Sequence, residues 1–150
     1  LLSRGLGDVY KRQALRDNAY ANRMYSEASL RQAAKETSHL DKVVNRQVLK
    51  DDVIFVRGVR ANASFNPGEA SAGDFIADKG FGSHTTQERV AKSFSRKGPD
   101  AWTYVVKAPK GMHMTHGMDY ESEVIFPRNT RQRVLKIDRD TRTIYTEVFL

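Results

Sequence analysis

The sequence predicts an α+β domain, with helices in its first third and strands in its last. Two observations predict it. Between residues 14 and 49 the apolar side chains Leu15, Ala19, Met24, Leu30, Ala33, Ala34, Leu40, Val43, Val44 and Val48 recur at mostly helical intervals, with charged residues between them. From residue 121 onward, short runs of β-branched and aromatic residues are divided by turn-forming clusters instead. No strand–helix–strand alternation of the kind that builds a doubly wound parallel sheet links the two regions. A chain of 150 residues is the size of one domain with one core.

The helical region has room for two or more helices. Ser38, followed three residues later by Asp41, resembles a capping box with a shorter acid, which predicts a helix from there to about Val48. "DDVIFVRGV" then reads as a short buried strand, because β-branched and aromatic residues are bounded by Asp51, Asp52 and Gly58. Residues 61–74 carry Asn62, Asn66, Pro67, Gly68, Ser71 and Gly73, which is loop chemistry. In "FGSHTTQERVAKSF", Ser83 and Thr85 alternate on one side of a short strand, and Thr85 or Thr86 caps a helix whose Val90, Ala91 and Phe94 share a face. A loop at "RKGPDA" leads to the strand "WTYVVKA" and a turn at Pro109 to Gly111. The closing strands are 121–126, 131–138 and 142–149, the last two joined by "DRDT".

The absence of cysteine excludes disulfide scaffolds, thiolate zinc sites and cysteine nucleophiles. No run of about 18 apolar residues is present to span a bilayer. A formal net charge of +7 suits an anionic partner such as nucleic acid, a membrane surface or a phosphate-bearing small molecule. The basic residues are scattered from Arg4 to Arg142 rather than gathered on one helix, which counts against nucleic acid. Residues 1–13, "LLSRGLGDVYKRQ", stand apart: with ordinary codons Asp8 to Gln13 back-translates to GAT GTG TAT AAG AGA CAG, similar to a transposon adaptor used in shotgun library preparation. The segment reads as a cloning or sequencing artefact, and the domain as residues 14–150 with its native start missing. The artefact holds Arg4, Lys11 and Arg12 against Asp8, so its removal lowers the net charge by two.

Three features carry candidate chemistry. In "YESEVIFPRNT", Glu121 and Glu123 lie two apart on an expected strand, so both carboxylates project to one face at the mouth of an apolar element. Their repulsion is costly unless they face solvent or a cation comes between them. Arg57 lies on the most hydrophobic strand and needs an anion there, either a glutamate or a phosphate that fits its planar fork, while Gly58 lets a ligand approach the backbone. The third feature, Gly80, Gly82 and Thr85, gives G-x-G-x-x-T, which fails the dinucleotide fingerprint at its third glycine. His113 and His116 have H-x-x-H spacing, but two ligands without a nearby acid cluster are poor evidence for zinc, and no metal is expected.

In this order, an arginine, then Ser-x-Thr on a "GF-x-S" strand, then Glu-x-Glu, the sequence from about Leu40 to Leu150 resembles the ADP-ribosyltransferase exoenzymes of the arginine–serine–glutamate class. These include secreted bacterial toxins and transferase domains appended to phage head proteins. The resemblance implies two packed antiparallel sheets forming an NAD cleft, with flanking helices, and a mono-ADP-ribosyltransferase that uses NAD as substrate and modifies arginine of a target protein. It implies that Glu123 is the catalytic glutamate, that Glu121 engages the acceptor and that Ser83 orients Glu123. Arg57 would hold the NAD pyrophosphate, Gly58 would bond the nicotinamide amide through its backbone, and Thr85 would support the nicotinamide pocket. Phe94 matches an aromatic packed near the nicotinamide, and Arg96 or Lys97 a basic residue that reaches the phosphates. Residues 112–120 would be the loop that recognises the target, with Tyr120 as an aromatic contact. The implied setting is an effector, secreted or phage-delivered, acting in a host cytoplasm. His84 departs from the family, which commonly has Thr there. Two rival functions are NAD glycohydrolase activity and a non-catalytic basic module, a phage structural domain or a nucleic-acid binder.

Overall fold

The computed structural model describes residues 26–61, 66–78, 82–95, 98–117 and 122–150. Helix α1 spans Glu27–Val44 and starts where the Ser26 hydroxyl accepts the Ser29 N–H at 3.2 Å. The helix therefore runs straight through Ser38, and the expected capping box does not form. Ala33, Thr37 and Val44 are its buried stripe, and Leu40 and Val44 pack on Ile125. Asp41 serves as an anchor instead of a cap. Its carboxylate accepts from Nε and Nη2 of Arg128 at 2.9 and 2.5 Å, which ties the helix to the segment after the Glu123 strand. Val48 is not helical either, but lies in a two-residue strand.

Nine strands follow among the described residues: β1 (Gln47–Val48), β2 (Val53–Arg60), β3 (Phe75–Asp78), β4 (Gly82–Thr85), β5 (Ala101–Ala108), β6 (His113–His116), β7 (Glu123–Phe126), β8 (Thr130–Asp138) and β9 (Thr143–Phe149). Helix α2 (Glu88–Ser95) connects β4 to β5, and Pro67–Glu69 forms a short 3-10 turn before β3. The hydrogen-bonded order is β1-β6-β7-β4-β2-β5-β9-β8-β3. The architecture is thus α+β as expected, but the strands make one continuous sheet rather than two separate ones.

The join between its two parts is narrow. Strand β2 pairs with β5 along its whole length, from Val53–Ala108 to Arg60–Ala101, yet among the described residues it meets β4 at the single pair Val56–Thr85. Pairing is antiparallel except between β5 and β9, which run parallel, an arrangement that the long connection through β6, β7 and β8 permits. The tight β8–β9 turn is closed at Asp138, whose carboxylate accepts the backbone N–H groups of Asp140 and Thr141. The Thr141 bond in particular holds the acid below its usual pKa.

One face of the sheet carries the core, including Phe55, Trp102, Tyr104, Val106, Val124, Phe126, Val134 and Ile144. The rings of Phe55 and Phe126 meet edge to face at 5.5 Å, so the two parts are glued by packing where few hydrogen bonds join them. Ile125 points the other way, toward α1.

Candidate active site

The site begins with the register between β4 and β7. Thr85 faces Glu123 and Ser83 faces Ile125, so these four side chains share one face of the sheet. Ser83 and Glu123 are diagonal neighbours there, and the Ser83 Oγ donates to Glu123 Oε1 at 2.6 Å. Glu123 is only 4% exposed, and a carboxylate this deep requires such donors. The serine–glutamate constellation expected from sequence is present as a direct contact.

The main chain of Gly117 lies over the same carboxylate. Its N–H donates to the Glu123 carbonyl at 2.9 Å, and a Cβ added at Gly117 would fall 2.1 Å from Glu123 Oε2. Only glycine permits this approach. Sequence reasoning missed it by assigning residues 112–120 to a recognition loop. Residues 113–116 are instead strand β6, paired with β1 and β7, and Met112 and Met114 are core residues. Residues 118–120, with Tyr120, lie outside the described residues.

Strand β7 begins at Glu123, and Ser122 before it has a left-handed backbone, φ 47°. The strand alternation expected across 121–123 therefore breaks at Ser122. Glu121 itself lies outside the described residues, as do Arg96 and Lys97, and the Phe94 side chain is not described. Ser122 is tied to the residue before α2: Gln87 Nε2 donates to its Oγ at 2.7 Å.

Arg57 approaches from the other face. Its neighbour Val56 faces Thr85, so Arg57 projects with Phe55 toward the core side, where its Nη1 would lie 3.3 Å from a Cβ on Gly82. Arginine and serine–glutamate pair thus reach the same short strand β4 from opposite sides. Gly58 is explained by packing: a Cβ there would sit 1.7 Å from the Ala91 carbonyl oxygen, so what comes close to this glycine is the backbone of α2. Extending the Val56–Thr85 register would set Gly58 opposite Ser83, but the strands part before that point.

Thr85 is buried and its Oγ1 accepts the Gln87 N–H at 3.1 Å, closing the turn into α2; Thr86 is exposed. His84 turns away from Ser83 and stacks on Phe126, ring centroids 3.8 Å apart, so the residue that departs from the expected threonine belongs to the core. His113 and His116 lie three apart on a strand and so point to opposite faces. No group of three or more His, Cys, Asp or Glu gathers as a metal site among the described residues.

No protein-family model and no curated protein matches the sequence. Solved structures do. The chain is similar to Vis toxin, an ADP-ribosyltransferase from Vibrio splendidus, with a TM-score of 0.68 and 23% identity over 93% of this chain and 67% of that one. Vis has also been crystallised with agmatine; that structure matches with a TM-score of 0.64 at 20% identity, over 96% of this chain and 75% of that one. C3stau2 from S. aureus, solved with NAD, matches with a TM-score of 0.64 at 16% identity over 94% of this chain and 78% of that one. Exoenzyme S from Pseudomonas aeruginosa, solved with human 14-3-3 protein beta and carba-NAD, matches with a TM-score of 0.67 at 17% identity over 95% and 68%. At these identities the likeness establishes the fold, which is that of bacterial ADP-ribosyltransferases.

Proposed function

We propose that the chain is a mono-ADP-ribosyltransferase that cleaves NAD and passes ADP-ribose to an arginine side chain of a target protein. The observation that carries this reading is the buried Glu123 carboxylate held by the Ser83 hydroxyl at 2.6 Å, on a fold shared with ADP-ribosyltransferase toxins. The agmatine bound to Vis, a decarboxylated arginine, favours arginine as the acceptor class.

When the bond between ribose C1′ and the nicotinamide nitrogen breaks, the electron pair leaves with nicotinamide and positive charge develops on the sugar. Glu123 meets that charge. A carboxylate fixed in advance stabilises the transition state more than the ground state, because the cation exists only as the bond opens. Two unit charges about 4 Å apart interact by about 4 kcal/mol at an effective dielectric constant near 20, roughly a thousandfold in rate. A guanidinium nitrogen, aimed by a hydrogen bond to the Glu121 carboxylate, then bonds to C1′ and passes its proton by way of that carboxylate to solvent. On the resemblance, Arg57 would offer its forked cation to the pyrophosphate, assisted by Arg96, and Gly58, Thr85 and Phe94 would serve the nicotinamide end; because Arg57 lies on the face opposite Glu123, one NAD molecule meets both only through the gap where β2 and β4 part. The parting of β2 and β4 beside Gly58 and Ser83 is a natural place for that ring.

The test is incubation with labelled NAD and agmatine. ADP-ribosyl-agmatine is expected; free ADP-ribose alone would favour glycohydrolase activity, and no turnover a non-catalytic module. Glu123→Gln should remove transfer and hydrolysis together by about a thousandfold, whereas Glu121→Gln should lose transfer and keep NAD cleavage. Equal loss in both assays for Glu121→Gln would overturn the division of roles.

A further inference from the structure

We propose that the outer face of β3, β8 and β9, together with the edge of β3, docks an extended acidic segment of a partner protein by adding it to the sheet as a further strand. The inference goes beyond the transferase reading and does not depend on NAD turnover.

The registers define this face. Phe75 faces Arg133, Arg133 faces Glu147, Glu147 faces Lys107 and Lys107 faces Ile54, so one row of side chains crosses from β3 to β2. Beside it lie the row of Ala77, Arg131 and Phe149 and the row of Lys136, Tyr145 and Val105. Gln132, Val134, Thr146 and Val148 alternate with these residues and are buried on the core side. Helix α2 covers the outer face at Gly58, yet Ile54, Phe75 and Phe149 remain 53%, 55% and 46% exposed. Large apolar side chains grouped among charges on an open face mark a surface for a partner.

Charge selects the kind of partner. Arg131, Arg133, Lys107 and Lys136 stand against Glu147, whose carboxylate is already bound to Arg133 at 2.7 Å. The face therefore complements an acidic chain. The rings of Phe75 and Phe149 meet edge to face at 5.5 Å, and the Arg131 guanidinium lies over both, 5.7 and 5.8 Å from their centroids. Lys136 Nζ lies over the Tyr145 ring in the same way, at 5.8 Å. Bases of a single-stranded nucleic acid stack on open ring faces, and here cations already occupy them. The edge gives a second argument for a polypeptide: among the described residues β3 ends the hydrogen-bonded order, and the outward main chain of a terminal strand pairs with another main chain. A strand laid along β3 would set alternate side chains beside Phe75 and Ala77, near Arg131, and the others beside the half-buried Ile76. Acidic residues alternating with apolar ones satisfy both sides.

The experiment titrates the full chain into a labelled, end-blocked eight-residue peptide of alternating glutamate and valine and follows fluorescence anisotropy. Saturable binding is expected, with hydrogen-exchange protection gained in β3. The double variant Arg131→Glu with Lys107→Glu should weaken it by about tenfold, as should replacing the peptide's glutamates with lysine. The same peptide with its amides N-methylated cannot donate to an edge strand and should bind at least about tenfold more weakly. No binding of the parent peptide would overturn the inference. So would equal binding of the lysine or N-methylated peptide, or tighter binding of a single-stranded oligothymidylate, which would make the face a nucleic-acid surface. Sedimentation of the free chain as a dimer with β3 protected would overturn it too, by giving the face to a second copy. Should the charge-reversed variant fail to fold, the peptide series on the wild-type chain decides alone.

Discussion

At the scale of single residues, Gly117 and Glu123 show how a glycine shapes a carboxylate site. The Cβ of Gly117→Ala would fall 2.1 Å from Oε2 and 2.6 Å from Cδ, both at the far end of Glu123's side chain. Cγ would also be only 2.9 Å away, so relief requires the whole Glu123 side chain to leave its rotamer and its bond to Ser83, at a cost of about 1–2 kcal/mol. Gly117→Ala should therefore fold with a Tm lowered by only a few degrees and lose NAD cleavage by at least about tenfold. A large Tm drop with normal activity per folded molecule would refute this account. The residues' chemical types were legible in the sequence: a serine on a short strand and a glutamate at the mouth of an apolar run announce a hydroxyl and a buried acid. Gly117 and Gln87 were not, because their significance lies in contacts that folding creates. A glycine beside Met and His reads as loop, and a glutamine near a helix start reads as surface.

At the scale of elements, Gly58 makes the opposite case. The Cβ of Gly58→Ala would lie 1.7 Å from the Ala91 oxygen and 2.9 Å from the Ser95 nitrogen, all of it backbone of α2 that no rotamer can move. The helix must shift bodily, so Gly58→Ala should destabilise by about 2 kcal/mol or more, the range of overpacked cores. Thermal or urea unfolding measures this, and a variant as stable as the wild type would show that α2 is not seated on β2. The glycine stands out in the sequence, but a close approach has two causes and only the fold distinguishes helix from ligand. Helix α1 illustrates a similar ambiguity: Ser38 and Asp41 have capping chemistry, yet Leu40 and Val44 find Ile125 and the helix continues through them. Strand β3, "FIAD", escaped detection because it is a four-residue edge with Phe75 exposed, without the alternation a half-buried strand displays. The parallel β5–β9 pair depends on a crossover that no local pattern encodes.

At the scale of the whole molecule, the narrow join in the sheet gives the proposed NAD site its mechanical setting. The part built on β2, β5, β9, β8 and β3 carries Arg57 and Gly58; the part built on β1, β6, β7 and β4 carries Ser83 and Glu123. Among the described residues only Val56–Thr85 links their ladders, although Phe55 and Phe126 pack the two together. A ligand held by the arginine at one end and the glutamate at the other would bridge both parts and stabilise the folded chain by mass action, about 2.7 kcal/mol at a hundred times its Kd. Hydrogen exchange with and without NAD locates the effect. Peptides covering residues 57–59 and 82–85 should gain protection, while those in β8, remote from the join in strand order, should change little. Uniform protection across all strands would mean that NAD stabilises the fold without bridging the join, and no protection at Gly58 or Ser83 would remove the parting of β2 and β4 as the nicotinamide site.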